Sequence, residues 1–320
     1  MKNSRKVPFL LLGESVVDLI STDKIDSLQQ AACFQRYAGG QVSNLASNLV
    51  RLGYPAALGT CLGNDGPGRF LQDHLARTGV NLDQLQFTDE ASTTLVSVAR
   101  QEGTPDFNIY RGADHYLSIS DKLLAAASES EFIHTSAFAL SRDPCRSTIL
   151  AILEANQNAG KTISLDPNFH PKIWPDQPEF ISVLKDLFKY ITITKPSLDD
   201  SIRIFGQGLE PIQYLGKFLD LGPEIVLLTM GSAGSLLGTD KGERIQIHPN
   251  PVKVVDVTGA GDAYWSGLLA GLYEGHSTLT AAKIGQAVAE YKIGFVGPIS
   301  DQMTLDHFLD PAEKIHTSQK

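Results

Sequence analysis

The 320-residue sequence predicts a three-layer α/β/α fold with a mostly parallel central sheet and a small β-sheet lid. From Glu131 onward, apolar segments of strand length alternate with segments of helical periodicity, which is typical of parallel sheets covered by helices on both faces. Two earlier β-rich segments, at about 18–37 and 92–114, predict the lid. We expect one domain over 1–314 and a tail at 315–320, because no Pro-, Gly- or Ser-rich linker divides the chain.

The predicted strands are short and apolar. They lie at Val7–Leu12, Phe132–Thr135, Thr162–Asp166, Tyr190–Thr194, Ile225–Thr229, Ser235–Leu237 and Ile245–His248. The predicted helices have apolar residues at intervals of three and four and often end near a glycine. They lie within Gly39–Gly53 and Phe70–Gly79, and at Ser147–Ala159, Leu198–Phe205, Pro211–Leu221, Ala260–Tyr273 and Thr280–Gly294. In the second β-rich segment, Gly103-Thr-Pro-Asp106 predicts a hairpin turn.

Composition restricts the classes of function. With 27 Lys and Arg against 36 Asp and Glu, the net charge of −9 disfavours a nucleic-acid partner. Three widely spaced cysteines without a Cys-x-x-Cys pair disfavour a disulfide framework or zinc ribbon and favour a reducing compartment. No apolar run approaches the ~20 residues of a membrane span, and Val7–Leu12 is too short for a signal peptide. We therefore expect a cytoplasmic protein without a membrane partner.

The strongest local motif is Asp256-Val-Thr-Gly-Ala-Gly-Asp262, at the start of a predicted helix. Its glycines leave backbone N–H groups open at the positive end of the helix, which suits an anion. Asp262 could accept the proton of an attacking hydroxyl while the amides of Gly259, Ala260 and Gly261 hold the developing charge. Because the helix dipole favours a carboxylate, we expect Asp262 to be ionised near neutral pH. The alternative is a glycine turn in which Asp262 only favours the dipole.

A second glycine motif, Gly39-Gly40-Gln-Val-Ser-Asn44, precedes the first predicted helix. A Gly-Gly pair lets the backbone approach a small polar ligand, and Asn44 can donate to and accept from hydroxyl groups. Asn44 is equally suited to capping the helix. Asp18, shortly after the first strand, could accept from two neighbouring hydroxyls, or it could be an edge-strand carboxylate that faces water.

Two further glycine-containing segments lie elsewhere. Thr229-Met-Gly231-Ser-Ala-Gly234 follows a predicted strand and lies at the same sheet edge as the anion-binding motif, although a simple β-turn would have the same composition. Gly160-Lys-Thr162 imitates the end of a P-loop but connects a helix to a strand, so we expect only a helix C-cap there.

Together, these motifs resemble those of the ribokinase-like carbohydrate kinases of the phosphofructokinase-B type, from about Leu11 to about Gly297. The family's C-terminal signature is intact at 256–262, and its N-terminal signature is present at 39–53. The resemblance implies a ribokinase-like fold, ATP and Mg²⁺ as cofactors, and transfer of the γ-phosphoryl group to a hydroxyl of a small sugar. It also implies a homodimer that forms through the lid.

The resemblance further implies roles for particular residues. It assigns the sugar to Asp18, Gly39, Gly40, Asn44, Arg111 and Asn168, the nucleotide to Lys195, Ser197, Thr229, Gly231 and Gly234, water-mediated Mg²⁺ to Asp200, and a K⁺ site to Asp256 and Thr258. Two departures stand out. Ser197-Leu-Asp-Asp200 replaces the family's Asn-x-x-Glu, and His170 stands where many relatives have an arginine. Loss of the guanidinium fork disfavours an acidic sugar.

The segment Phe107–Asp114 looks most like the fructokinase-like branch, which favours a primary alcohol of a ketohexose such as fructose. For Arg111 in this segment, the alternative is a solvated surface arginine. Three other functions stay open: a 2-keto-3-deoxygluconate kinase, a ribonucleoside kinase and a non-catalytic sugar-binding regulator. The intact Asp262 disfavours the regulator, because a binding protein needs no base.

Overall fold

The computed structural model describes residues 7–101, 106–299 and 302–309. The strands of these residues are β1 (Phe9–Leu12), β2 (Val16–Lys24), β3 (Phe34–Gly39), β4 (Ala56–Gly59), β5 (Cys61–Gly63), β6 (Gln86–Thr88), β7 (Leu95–Arg100), β8 (Phe107–Tyr110), β9 (Phe132–Ser136), β10 (Thr162–Asp166), β11 (Ile193–Thr194), β12 (Ile225–Thr229), β13 (Ser235–Thr239) and β14 (Arg244–Ile247). The α-helices are α1 (Gln41–Arg51), α2 (Gly66–Thr78), α3 (Asp121–Glu129), α4 (Cys145–Asn156), α5 (Gln177–Phe188), α6 (Leu198–Phe205), α7 (Pro211–Leu219), α8 (Ala260–Tyr273) and α9 (Thr278–Lys292).

The central sheet has eight strands in the order β14-β13-β12-β11-β10-β9-β1-β4. The six strands from β12 to β4 are parallel, and β13 and β14 extend the sheet in an antiparallel manner beside β12. Strand β1 lies between β9 and β4, and Leu10 is paired with Ile133 on one side and with Ala57 on the other. The predicted mostly parallel sheet is confirmed.

Helices cover both faces of the central sheet. Because successive side chains of a strand point to opposite faces, Leu10 and Leu12 pack with α4, α5 and α7, whereas Phe9 and Leu11 pack with α1, α8 and α9. Burial on both faces explains why the strands are continuously apolar instead of alternating. Among the described residues, no helix is both long and apolar enough to cross a bilayer.

The small sheet consists of four strands in the order β3-β2-β7-β8, and these strands match the two segments from which we predicted a lid to within two residues at each end of the first segment. Strand β2 pairs with β7 in parallel and with β3 in antiparallel orientation. Strands β7 and β8 form an antiparallel pair, but residues 103–105 of the predicted hairpin turn lie outside the described residues. The single domain over 1–314 and the tail at 315–320 stay predictions, since the description ends at residue 309.

Some elements differ from the sequence prediction. Helix α5 was not predicted, although Asp176 caps it and a proline lies in its first turn. The strand predicted at Tyr190–Thr194 shortens to Ile193–Thr194, because Tyr190 and Ile191 donate their N–H groups back to α5 in a closing turn. Helix α4 ends at Asn156, so Gly160, with φ +68°, lies in a later turn and is not the helix C-cap.

Helices α8 and α9 cross at glycine positions. A Cβ atom on Gly267 of α8 would lie 2.8 Å from the Cα of Gly285 in α9, and a Cβ on Gly285 would lie 2.7 Å from the carbonyl oxygen of Tyr264. Neither contact is possible for a real side chain, so the glycines allow the two backbones to touch. This close packing fixes the start of α8 relative to the sheet.

We expect Gly267→Ala to lower the free energy of unfolding by about 1 to 3 kcal/mol, because the added methyl group would force α8 and α9 apart. The matched control is Gly216→Ala in α7, where a Cβ meets nothing within 4 Å. There the better helix propensity of alanine should add about 0.5 to 1 kcal/mol. Urea unfolding measures both variants. Equal effects at the two positions would contradict the proposed close packing.

Candidate active site

A polar cavity of about 490 Å³ lies where β10, β11 and β12 end and α8 begins. In open α/β sheets, ligands bind at this edge, at the carboxyl ends of the parallel strands. The cavity brings together most of the residues that we predicted to take part in catalysis, to bind the nucleotide phosphates or to bind a metal ion. It is lined by Gln41, Asp166, Asn168, Lys195, Ser197, Asp199, Asp200, Arg203, Thr229, Val257, Gly259, Ala260, Gly261 and Asp262.

The N-terminus of α8 forms one wall of this polar cavity. Gly259 is the N-cap, with φ +76°, a left-handed conformation that favours glycine, and no side chain caps the helix at this position. Gly259, Ala260 and Gly261 all line the cavity, at the positive end of the helix dipole. We call these three residues the anion loop, because this arrangement suits a phosphate group.

Asp262 lies in the first turn of α8, and its carboxyl is buried. Asn44 of α1 donates a hydrogen bond of 2.9 Å from Nδ2 to Oδ2 of Asp262. Burial raises the pKa of Asp262 to about 7; the charges of Asp166 and Glu14 add to this effect, and Asn44 and Lys195 oppose it. The expectation that the helix dipole keeps Asp262 ionised near neutral pH is met only in part, since desolvation leaves roughly half of these carboxyls protonated at that pH. A carboxyl with a pKa near 7 is well matched to accepting a proton at that pH.

Asp166, the last residue of β10, lines the polar cavity together with Asp262. Its Oδ2 accepts a hydrogen bond of 2.7 Å from the indole N–H of Trp265 and lies 3.5 Å from Nζ of the buried Lys195. Lys195 directly follows β11, so two neighbouring parallel strands bring this ion pair to one edge. The prediction did not assign Asp166 a role, although its place at the carboxyl end of a buried strand was a usable signal.

Ser197 and Asp200 form a capping box at the start of α6. Ser197 Oγ donates to Oδ2 of Asp200 at 2.6 Å and accepts the backbone N–H of Asp200 at 3.0 Å. Arg203 lies 3.7 Å from the other carboxylate oxygen, and burial raises the pKa of Asp200 to about 6. The backbone of Ser197 also forms an isolated parallel β-bridge with the backbone of Thr229. The residues predicted to bind the nucleotide and the metal therefore lie close together.

A second cavity, of about 690 Å³ and lined largely by apolar surface, adjoins the polar one. It shares Thr229, Val257, Ala260 and Gly261 with the polar cavity. It is otherwise lined by Gly231, Ser232, Gly234, Pro249, Asn250, Pro251, Val252, Val254, Tyr264, Gln286, Ala289, Glu290 and Ile293. An apolar cavity joined to an anion loop matches a ligand with a flat apolar end and a phosphorylated end, as in a nucleotide.

The second glycine motif packs against Asp18 of the small sheet. A Cβ atom on Gly39 would lie 2.0 Å from Oδ2 of Asp18, and one on Gly40, which has φ +102°, would lie 2.6 Å from the carbonyl oxygen of Glu14. Position 40 therefore requires glycine, whereas a larger residue at position 39 would displace the Asp18 carboxylate. Burial raises the pKa of Asp18 to about 7. Because β2 is an inner strand, the alternative of an edge carboxylate that faces water is wrong.

Glu14 was missed by the sequence prediction. Its Oε1 accepts the backbone N–H of Gln41, the first residue of α1, at 2.9 Å, and its Oε2 accepts from Ser136 Oγ at 2.6 Å. Burial raises the pKa of Glu14 to about 7. The signal was a glutamate two residues after a fully buried strand. Glu14 holds the start of α1, and thereby the Gly39–Gly40 turn, against the central sheet.

Arg111 does not line the polar cavity. Its guanidinium pairs with Asp114 at 2.6 Å, donates to Ser141 Oγ at 2.7 Å and lies 4.1 Å above the ring of Phe138. Its side chain is only 6% exposed, so the alternative of a solvated surface arginine is wrong. A role of Arg111 toward a sugar stays a prediction.

Asn168 and His170 follow β10 but have different surroundings. Asn168 lines the polar cavity together with Asp166 and Gln41, and its predicted role toward the sugar stays a prediction. His170 packs against the ring of Phe107, with 4.6 Å between ring centroids, and its Nδ1 accepts the backbone N–H of Lys172 at 3.1 Å.

Asp256 and Thr258 precede the anion loop. Oδ1 of Asp256 accepts the backbone N–H of Thr258 at 3.0 Å. Burial by itself would raise the pKa of Asp256, but the hydrogen bonds from Thr258 outweigh it and lower the pKa below its usual value. The binding of K⁺ at Asp256 and Thr258 stays a prediction.

The doubly wound sheet, the anion loop with its buried proton acceptor, and the adjoining apolar cavity are the features of a kinase that acts on small molecules. The chain belongs to the pfkB family of carbohydrate kinases, whose family model matches residues 9–305. It is an ATP-dependent sugar kinase, and the predicted family is confirmed.

Three relatives show how far the similarity extends. The ATP-dependent 6-phosphofructokinase of Thermoanaerobacterium thermosaccharolyticum is 35% identical over 95% of this chain and 93% of its own. The structure of Halothermothrix orenii fructokinase is 33% identical, with a TM-score of 0.77 over 91% of this chain and 99% of that one. A sugar kinase from Pyrococcus horikoshii, solved in complex with ATP, is 25% identical, with a TM-score of 0.81 over 93% of this chain and 96% of that one.

The raised pKa of Asp262 predicts a pH-dependent cost in stability. Folding favours the protonated carboxyl, so the stability that this group contributes is present below pH 4 and is lost as the pH rises through about 7. Asp262→Asn mimics the protonated form. We expect it to raise the free energy of unfolding by about 2 to 4 kcal/mol at pH 8, but by only about 1 kcal/mol at pH 5.

Urea unfolding at both pH values measures this difference. The control is Asp186→Asn, an exposed carboxylate on α5, which should change stability by less than about 0.5 kcal/mol at either pH. The same gain for Asp262→Asn at pH 5 and pH 8 would show that the pKa of Asp262 is not raised.

Proposed function

We propose that this chain is a cytoplasmic, fructokinase-like enzyme that transfers the γ-phosphoryl group of ATP to a primary hydroxyl of a ketohexose. One observation carries the proposal. The 2.9 Å hydrogen bond from Asn44 to Asp262 joins the glycine motif beside Asp18 to the anion loop. A sugar held by the glycine motif would present a hydroxyl to the buried proton acceptor, and that hydroxyl would lie next to the phosphate.

In this mechanism, Asp18 and Asn44 bind the sugar hydroxyls, while the absence of side chains at Gly39 and Gly40 lets the turn lie close to Asp18. Asp262 takes the proton of the acceptor hydroxyl as its oxygen bonds to the γ-phosphorus and the bond to the β-phosphate oxygen breaks, which releases ADP. The N–H groups of the anion loop balance the charge that develops on the transferred group.

The nucleotide would span both cavities. Its base would lie in the apolar cavity beside Gly231 and Gly234, and its phosphates would pass Thr229 and reach Lys195 and Ser197 in the polar cavity. The apolar lining and the anion loop are the observations that support this placement.

Magnesium fits the polar cavity as a phosphate-bound ion. Asp200 lines this cavity, but Ser197 donates to one of its carboxylate oxygens and Arg203 lies near the other, so we assign Asp200 to Mg²⁺ through water. Mg²⁺ commonly keeps several waters and binds substrate phosphates, where it neutralises charge during transfer.

Fructose 6-phosphate is a second candidate acceptor, because the relative that is 35% identical over 95% of the chain is named a 6-phosphofructokinase. An acidic sugar has less support, since His170 is packed against Phe107 and offers no bidentate fork. A non-catalytic regulator also has less support, because it would have no use for the destabilising buried carboxyl of Asp262.

We also propose that the chain forms a homodimer through the small sheet. Register places Val17, Leu19, Ala38 and Leu95 on one face, where they pack toward α2. The opposite face carries the half-buried apolar residues Ile20, Val96, Val98, Phe107 and Ile109 beside Asp18. An apolar sheet face with this much exposure is suited to a second copy of the same face.

ADP release with Mg-ATP tests the reaction against a panel of fructose, fructose 6-phosphate, 2-keto-3-deoxygluconate, ribose and adenosine. We expect fructose to give the highest turnover. Asp262→Asn should lower turnover roughly 10²- to 10⁴-fold while sugar binding, measured by calorimetry, is retained. Asp186→Asn should leave turnover unchanged. Preference for fructose 6-phosphate would select the second candidate, and an active Asp262→Asn variant would remove the assigned base.

Sedimentation velocity tests the dimer. We expect Val98→Lys to shift the protein toward the monomer, because it places a charge within the apolar face. Tyr110→Lys is the matched control, since Tyr110 lies on the opposite face of the same strand pair and is already 60% exposed. A monomeric native chain, or equal effects of the two variants, would refute dimerisation through this face.

A further inference from the structure

Lys292, the last residue of α9, lies directly behind the anion loop. Its side chain is only 4% exposed, and its ammonium has no hydrogen-bond partner among the described residues. A Cβ atom on Gly259 would lie 3.8 Å from Cε of Lys292. Lys292 lines neither of the two cavities, so it is on the protein side of the anion loop and does not face the ligand space.

The surroundings of Lys292 tie it to the start of α8. The N–H groups of Val255 and Asp256 donate to the carbonyl oxygen of Ile293, at 2.8 and 3.2 Å, so the segment before the anion loop is fixed to the residue after Lys292. Burial lowers the pKa of Lys292, whereas the carboxylates of Asp256 and Asp262 favour its charged form. The ring centroid of Phe295 lies 5.5 Å from Nζ.

Burial of this ammonium is expensive. An ammonium removed from water without a hydrogen-bond partner destabilises the fold, and an apolar side chain of similar volume is often the more stable choice. A lysine at a helix C-terminus commonly reaches solvent or the last carbonyls of the helix, but the Lys292 ammonium does neither. Its position therefore needs a use other than stability, and the adjacent anion loop supplies one.

We propose that the ammonium of Lys292 is a built-in cation of the anion loop and takes the place of the K⁺ that the family resemblance implies at Asp256 and Thr258. This inference rests on the proposed function. Two positive charges held close together where water is largely excluded repel each other strongly. A K⁺ ion beside Asp256 would meet that repulsion from Lys292, so the two cations do not fit together there.

The first test varies the monovalent cation. With native protein, ADP release in KCl and in choline chloride of equal ionic strength should agree within about twofold. Lys292→Ala should be roughly ten- to thirtyfold slower in choline chloride, and KCl or NH₄Cl should restore most of the activity, because the small side chain leaves room for an ion. Lys292→Met should be equally slow without rescue, because its thioether chain fills the space.

A second readout does not depend on sugar phosphorylation. Calorimetry should show MgATP binding to Lys292→Met roughly tenfold weaker than to native protein, although its stability in urea is equal or higher. Lys185→Met, at an exposed lysine on α5, is the control and should change neither quantity. A purely structural role of Lys292 would instead lower stability and leave MgATP affinity intact.

The outcomes separate this inference from the proposed function. Strong activation of the native protein by K⁺, or native MgATP affinity in Lys292→Met, would overturn the built-in cation. If no sugar on the panel is phosphorylated but Lys292→Met still binds MgATP more weakly, the proposed acceptor fails and the role of Lys292 stands.

Discussion

The hydrogen bond between Asn44 and Asp262 joins the first turns of two helices that are 218 residues apart in the chain. It exists because α1 and α8 pack side by side on one face of the central sheet and start at the same edge. The parallel strands set that edge, and the glycine contact between α8 and α9 fixes the depth of α8. The positions of the glycine motif, the anion loop and the two cavities all follow from this convergence.

Bringing the starts of α1 and α8 together at one edge of the sheet has an electrostatic cost. Glu14, Asp200 and Asp262 are buried, Asp18 is largely removed from water, and in each case desolvation raises the pKa. A chain selected for stability alone would replace some of them with amides or apolar residues. Lys195 and the anion loop supply part of the compensating positive charge on the cavity side. A bound magnesium–nucleotide complex would change this balance, so ligand binding and protonation in this region are linked.

Most of the fold could be predicted because its local signals agree. The bounds of α6 and α8 match the structure, since a capping box begins the first helix and a glycine turn begins the second. Helix α5 was missed because its apolar positions follow an irregular, proline-containing stretch. In the site, residue types and spacing were sufficient to find Asp262 but not its pKa, which depends on distant elements that exclude water. The role of Lys292 could not be predicted either, because its burial also depends on distant elements. In the sequence it looks like an ordinary lysine near the end of a helix.

The contact between Gly39 and Asp18 also limits how sugar preference can evolve. Any side chain at position 39 would overlap the Asp18 carboxylate, since even a Cβ would lie 2.0 Å from its oxygen. A larger residue at 39 becomes compatible only if the Asp18 side chain turns away or is shortened, and either change disturbs the carboxylate proposed to hold the substrate. If residues 18 and 39 change one at a time during evolution, the protein with only one of the two changes therefore binds its sugar poorly. New acceptor specificities are more accessible through other residues around the sugar, and the pair should persist while its surroundings diverge.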